Sequence, residues 1–334
     1  MPTFTPGRRA RSRRRWLAVL AAILVAAATP AIASAIDGSP ASTPASTSTA
    51  AAPATNPLLN LLQLKPGNGA SLNSSLCGVV LKAKPGGGFW SCSFDDEFNG
   101  TTLDPNKWVA QTSAGSNTYA GQSCFVDDPD NVFVKGGNLH LVVREEADSF
   151  FCDGPDFTTN FTAASVMTFQ RFSQTYGRFE VRAKLPAAKV RGLQESFWLW
   201  PDNPLKYGPW PYSGEIDIAE MYHILPDRAI PFIHYVPSFV DMNVTNNYCM
   251  IKDLSAYHTY AVEWTTTSIK VIYDGKTCLT DTWNPASPLV KPQPFDHPFM
   301  VAMTAGLGIG GNSYVPGVTP LPAETQVDYV RVWK

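Results

Sequence analysis

Three carboxylates fall within six residues in the segment Gly214-Glu215-Ile216-Asp217-Ile218-Ala219-Glu220, and apolar residues separate them. Such crowding is unfavourable on a purely structural surface strand, because like charges on one face repel. In a regular strand, residues 215, 217 and 219 share a face and Glu220 points away. A one-residue bulge near 218–219 would return Glu220 to the side of Asp217, and bulges commonly re-aim side chains at active sites. Two carboxyl groups roughly 5–5.5 Å apart are what retaining cleavage of a glycosidic bond requires. One must be ionised to attack the anomeric carbon, and the other must hold a proton for the leaving oxygen. A third carboxylate between them can hydrogen-bond the nucleophile and raise the acid's pKa by repulsion. The competing readings are a calcium site and a solvated acidic strand. Calcium usually recruits oxygens from loops, whereas Ile216 and Ile218 mark a strand with one buried face.

Other motif matches lack the context that would give them chemistry. Gly306-Leu307-Gly308-Ile309-Gly310-Gly311 fits the dinucleotide fingerprint, but Asn312, Ser313, Pro316 and Pro320 follow where a helix is required. Gly275-Lys276-Thr277 imitates the end of a phosphate-binding loop, with Lys270 where its first glycine belongs. No G-x-S-x-G elbow, CxxC or HExxH is present, and the five histidines are scattered, so no metal site is expected from the motifs.

The elements that must position the acids read as β. Asn138–Arg144, Gly177–Lys184 and Ser268–Tyr273 alternate or are rich in β-branched residues, and Asp274-Gly275 makes a hairpin turn. With 24 Gly and 28 Pro, a helix longer than three turns is hard to place in the globular part. The expectation is an all-β sandwich of two antiparallel sheets in one unit, residues 88–334.

Upstream of that unit, residues 1–35 read as a signal peptide. A basic start is followed by the apolar run Trp16 to Ala28 and by Ala33-Ser34-Ala35, which fits a cleavage site. Ser12-Arg13-Arg14-Arg15-Trp16-Leu17 resembles a twin-arginine export signal; the alternative is an uncleaved membrane anchor. Residues 36–57 are a Ser/Thr/Ala/Pro-rich linker, and residues 58–87 are an N-terminal extension with Leu58, Leu59, Leu61, Leu62 and Leu64. Six cysteines, all beyond the signal, fit disulfides in an oxidising compartment. Fifteen connectivities are open, and pairing of neighbours (77–92, 124–152, 249–278) is the expectation. The chain carries 26 basic and 28 acidic residues, and six arginines precede the first acid, Asp37. Beyond the signal, 20 basic residues face 28 acidic ones, a net charge of −8 that disfavours nucleic acid as a partner. The protein is expected to be secreted, extracellular or at the cell wall, monomeric, and without stable membrane association once the signal is cut.

Trp210-Pro211-Tyr212-Ser213-Gly214-Glu215-Ile216-Asp217-Ile218-Ala219-Glu220 closely resembles the active-site signature of glycoside hydrolase family 16, in the bulged form of its laminarinase-like members. Further matches follow in order over about residues 90–334. They are Asp95–Gly100 with Leu103-Asp104 and Lys107-Trp108, Tyr176–Pro186, Tyr260–Trp264 through Asp274-Gly275, and Val327–Val332. The resemblance implies a concanavalin A-like β-jelly roll with a substrate cleft, and a retaining double displacement that needs no cofactor. A structural calcium ion is compatible with it. Carried over by position, Glu215 is the nucleophile, Glu220 the acid/base and Asp217 the assisting carboxylate. Trp210, His234 and Trp198 would line the substrate site, although core packing is the plainer reading of Trp210 and His234. Trp200, on the same face as Trp198, replaces a common aliphatic residue.

Two departures bear on specificity. Where many laminarinases read Gly-Leu-Trp-Pro-Ala, this chain reads Gly192-Leu193-Gln194-Glu195-Ser196, a polar pair in place of an aromatic wall. A frequent Ser-Gly-Arg is replaced by Ala164-Ser165-Val166. The leading expectation is a secreted endo-acting 1,3-β-glucan hydrolase with a polysaccharide as its partner. The alternatives are a family 16 enzyme on β-galactan, mixed-linkage glucan or arabinogalactan, and a non-catalytic carbohydrate-binding protein, which would have no reason to keep the acid trio.

Overall fold

The computed structural model describes residues 77–79 and 81–334. The signal peptide, the linker and residues 58–76 of the extension lie outside the described residues. Among the described residues no helix is long and apolar enough to cross a membrane. The described residues form fifteen strands in order: β1 (Cys92–Asp96), β2 (Val109–Ala110), β3 (Ser123–Phe125), β4 (Val132–Lys135), β5 (Asn138–Cys152), β6 (Phe157–Met167), β7 (Gly177–Lys184), β8 (Leu193–Pro201), β9 (Glu215–Tyr222), β10 (Ile230–His234), β11 (His258–Trp264), β12 (Ile269–Tyr273), β13 (Lys276–Asp281), β14 (Phe299–Leu307) and β15 (Ala323–Trp333).

They form the two layers of a jelly-roll sandwich. The first layer runs β10-β9-β8-β14-β6, with β2 on the outer edge of β6. The second runs β4-β5-β15-β7-β11-β12-β13, with β1 also pairing β15. Every pairing is antiparallel except β3 with β6. The long hairpin β5–β6 belongs to both layers. Leu139 to Val143 pair with β15, the rest of β5 pairs with β6, and Ala164 to Met167 of β6 pair with β14. A hairpin that enters both layers closes the sandwich on one side.

Alternation decides which side chains fill the space between layers. Phe197 and Leu199 of β8, Ile216 and Ile218 of β9 and Val301 and Met303 of β14 are all buried. They meet Val262, Trp264 and Val271 of the second layer in one hydrophobic core. Phe197 packs on Tyr260 at a ring separation of 5.3 Å, and Trp264 packs edge-on against Phe299 at 5.1 Å. Each such side chain contributes about 1.5–3 kcal/mol by leaving water. The opposite faces of the same strands carry half-exposed residues: Gln194, Trp198 and Trp200 on β8, Glu220 and Tyr222 on β9, Phe232 and His234 on β10, Thr304 on β14.

Three disulfides, Cys77–Cys92, Cys124–Cys152 and Cys249–Cys278, join neighbours in sequence, as expected. Cys77, from the segment read as an extension, is fully buried, and its backbone N–H donates to Asp95 Oδ2 at 3.0 Å.

The β8–β9 register contains one irregularity. Phe197 pairs with Ala219 and Trp198 pairs with Asp217, so Ile218 is an extra residue in β9. The β9–β10 pairing shifts at the same place, between Ile230 and Phe232. Across the core, the Tyr273 hydroxyl of β12 donates to the Ile218 carbonyl at 2.7 Å. Replacing Tyr273 by Phe would leave that buried carbonyl without this partner, at a cost of about 1–3 kcal/mol. Thermal unfolding should then show a Tm lower by about 2–4 °C for each kcal/mol lost. An unchanged Tm would mean that the hydroxyl does not support the bulge.

Candidate active site

The extra residue sets the geometry of β9. Ile216, Ile218 and Ala219 are fully buried on the core side, while Glu215, Asp217, Glu220 and Tyr222 share the opposite face. A regular strand would have turned Glu220 into the core. Chain entry into β9 is equally constrained. Gly214 adopts φ +79°, and a Cβ there would lie 2.8 Å from Phe295 Cε1, so only glycine serves. The preceding loop is tied by Ser213, whose hydroxyl donates to the Gly208 carbonyl and accepts from the Tyr207 N–H, both at 3.0 Å. That loop carries Trp210, whose indole N–H donates to Glu215 Oε2 at 2.6 Å.

The neighbouring strands complete the set. His234 lies opposite Glu215 in the β9–β10 register, and its Nε2 is 3.0 Å from Asp217 Oδ2. Its ring lies 5.4 Å from that of Trp210 and stacks on Phe232. On the other side, Trp198 is paired with Asp217, and its indole N–H donates to Thr304 Oγ1 at 3.2 Å. Trp200 meets Trp198 edge-on at 5.7 Å, which extends an aromatic floor along β8. Five of the six residues singled out in the sequence therefore lie on one face of one sheet, and Trp210 reaches that face from the loop before β9.

Glu220 has partners that the sequence did not single out as site residues. Tyr222 OH donates to its Oε2 at 2.5 Å, and Ser196 Oγ and Gln194 Nε2 reach its Oε1 at 3.3 and 3.5 Å. The signal was available in principle. Gln194 and Ser196 are two residues apart on the strand beside β9, and Tyr222 is two residues beyond Glu220, so alternation puts all three on the acid's face.

Burial raises the pKa of all three carboxyls. Glu215 is pushed well above the ordinary carboxylate range by burial and then by the charge of Asp217, against the opposing pull of His234 and the Trp210 N–H. Asp217 is likewise pushed well up, by burial and by the charge of Glu220. Glu220 is raised by burial, while Tyr222, His234, Ser196 and Gln194 favour its ionised form. Three carboxyls in one desolvated patch cannot all carry charge at modest pH, so the trio holds protons where isolated acids would not.

Glu215, Asp217 and His234 also bring one ligand atom each within 4.8 Å of one another. Two carboxylates and an imidazole suit a transition metal better than calcium, which takes six to eight oxygens. The Trp210 N–H and the His234–Asp217 contact already use lone pairs that an ion would need.

The model of the family "Glycosyl hydrolases family 16" matches residues 122–310. A glucan endo-1,3-beta-glucosidase A1 of Niallia circulans is 33% identical over 260 residues, covering 72% of this chain and 37% of that protein. A beta-glucanase of Rhodothermus marinus is 32% identical over 262 residues, covering 73% of this chain and 85% of that protein. The solved catalytic domain of an endo-1,3-beta-glucanase (laminarinase) from Thermotoga petrophila RKU-1 superposes with a TM-score of 0.62 at 25% identity, over 73% of this chain and 98% of that one. The family match spans more than half of the chain and includes the whole acidic strand, and the chain belongs to glycosyl hydrolase family 16.

Proposed function

We propose that the protein is a retaining endo-β-glycosidase that cleaves a 1,3-β-glucan by double displacement. The observation that carries this reading is the common face of Glu215, Asp217 and Glu220 across the Ile218 bulge, in a chain of family 16. Glu215, aligned by the Trp210 N–H, attacks the anomeric carbon while Glu220 gives its proton to the leaving oxygen. Water then cleaves the glycosyl-enzyme with Glu220 acting as base, so the anomeric configuration is retained. The half-exposed residues of β10, β9, β8 and β14 run across four strands, about 15 Å at the usual strand spacing. That width lets a polymer chain lie across the acids, and Trp198, Trp200 and Trp210 offer ring faces for sugar C–H groups. Three disulfides suit a protein that works in an oxidising compartment, in keeping with export.

The 1,3-β-glucan assignment rests on the named activities of the relatives, whereas the polar Gln194 and Ser196 favour a second reading, a different β-linked polymer. Reducing-sugar release from laminarin, lichenan, β-galactan and arabinogalactan separates the two. The largest kcat/KM on laminarin is expected, and activity confined to a galactan would move the assignment. No release from any polymer, with binding retained, would leave a carbohydrate-binding protein.

Glu215→Gln should abolish hydrolysis while the fold and sugar binding persist, because one heteroatom changes at constant volume. Glu220→Ala should spare substrates whose leaving group needs no proton, and azide should rescue it with a β-azide product. An α-azide product would mean that the two glutamates have exchanged roles.

The pH profile of kcat/KM should be a bell set by the coupled trio. Asp217→Asn removes one negative charge. A like-charged neighbour raises a carboxyl's pKa, so its removal lowers the pKa of Glu215, which the Asp217 charge raises, and, since the Asp217–Glu220 repulsion is mutual, that of Glu220. Both limbs of the bell should move to lower pH, with a smaller maximum because Asp217 no longer engages His234 in the same way. Limbs that stay in place would show that Asp217 does not act on the two glutamates through its charge.

A further inference from the structure

Directly behind the acid/base end of the site lies an ion pair that the chemistry proposed above does not use. Glu195 and His223 are buried, with His223 Nε2 2.9 Å from Glu195 Oε2 and His223 Nδ1 2.9 Å from the Ala188 carbonyl. A carbonyl and a carboxylate can only accept, so both contacts are hydrogen bonds only when both ring nitrogens carry protons. Burial pulls the His223 pKa down, but the charge and hydrogen bond of Glu195, together with the Ala188 carbonyl, more than offset it, and the net shift is upward. A buried pair of this kind is a poor way to gain stability, since desolvation consumes most of the attraction. Its position gives it another use. Glu195 sits between Gln194 and Ser196, two of the donors to Glu220, and His223 directly follows Tyr222, the third. Gln194 pairs with Tyr222 at the last rung of the β8–β9 ladder; beyond it the His223 N–H donates to the Leu193 carbonyl at 3.2 Å, and the Asn312 side chain bridges the Leu193 carbonyl and the Ile224 N–H. A ladder end is where strands fray. The pair crosses this end on the core side, while the three donors grip Glu220 on the cleft side.

We propose that Glu195 and His223 are positioning residues for the acid/base: by clamping the end of β8 to the end of β9, and both to the loop at Ala188, they hold Tyr222, Ser196 and Gln194 on the Glu220 carboxyl. The proposal rests on the reading of Glu220 as acid/base. It assigns a role to the same three-residue stretch that departs from the laminarinase pattern, because Glu195 is the centre of that departure.

The test compares a polysaccharide with a dinitrophenyl glycoside of the same sugar, whose leaving group needs no proton. The Glu195→Leu/His223→Leu double variant removes the clamp without leaving a lone buried charge. A misplaced acid should lower kcat on the polysaccharide by about 10- to 100-fold, with KM little changed, while the dinitrophenyl substrate loses less than about threefold. Glu195→Gln, which can still hydrogen-bond His223, should keep kcat on the polysaccharide within about threefold of wild type. Equal losses on both substrates in the double variant, or a Glu195→Gln enzyme that loses polysaccharide activity about as severely, would overturn the clamp. Should the double variant not fold, the Glu195→Gln result alone decides. Glu220→Ala run beside them separates the two ideas. If it shows the leaving-group split and the double variant does not, only the clamp fails. If it loses both substrates equally, the acid reading fails and takes the clamp with it.

Discussion

One residue too many in β9 is the constraint from which the site follows. With Ile218 inserted, the side-chain period of two slips once, and a glutamate that would have entered the core emerges beside two other carboxylates. The slip has to be supported from below. Ile216, Ile218 and Ala219 are packed without exposure, and the Tyr273 hydroxyl takes the Ile218 carbonyl from the opposite layer. The second layer therefore contributes to the acids without touching them. It fixes the shape of a strand whose other face carries the three carboxyls. Gly214 performs the matching task at the strand's start, where Phe295 leaves no room for a Cβ.

Placing three carboxyls on one face creates an electrostatic problem that the surrounding residues divide between them. Burial favours the protonated form of each, and each charge discourages the next. The donors are distributed unevenly. Glu215 receives one indole N–H, Asp217 faces His234, and Glu220 receives a phenol, a hydroxyl and an amide. For double displacement, one charge must rest on Glu215 when substrate arrives and one proton on Glu220. The trio titrates as a set, so that distribution belongs to the cluster and not to any single residue. Trp210 and His234 oppose the penalty on Glu215 from two sides, which is the help that the proposed nucleophile needs when buried.

Much of this was legible in the sequence, for physical reasons. Alternation along Phe197-Trp198-Leu199-Trp200 separates core from cleft residues because a strand has only two faces. The trio was legible because three acids among isoleucines are costly without a task, and the bulge because Glu220 could reach Asp217 in no other way. The disulfides join sequence neighbours, as expected, although spacing alone leaves the pairing open. The partners of Glu220 were not read as such. In the sequence Gln194 and Glu195 stand out only as a polar pair in place of an aromatic wall, and Ser196 not at all, since a hydrogen bond between adjacent strands depends on register, and register is not local. The Glu195–His223 pair was hidden for the same reason. Its members are 28 residues apart, and only the pairing of β8 with β9 joins them.

Those unread residues change what the cleft offers a substrate. An aromatic wall presents a ring face and excludes water; Gln194, Ser196 and Tyr222 present donors and acceptors instead. Because the same groups hold Glu220, a sugar hydroxyl that bonds to one of them also alters the grip on the acid. Recognition of the ring next to the scissile bond and readiness of the acid are then one network, and hydrogen-bonded networks discriminate more sharply than apolar contact. A polar group left unpaired by the wrong sugar would loosen the acid as well as weaken binding. The tryptophans of β8 and the loop before β9 can hold many β-linked chains, since ring faces are tolerant. Under the proposed function, selection among those chains falls to the polar end of the cleft, where this protein departs from the laminarinase pattern.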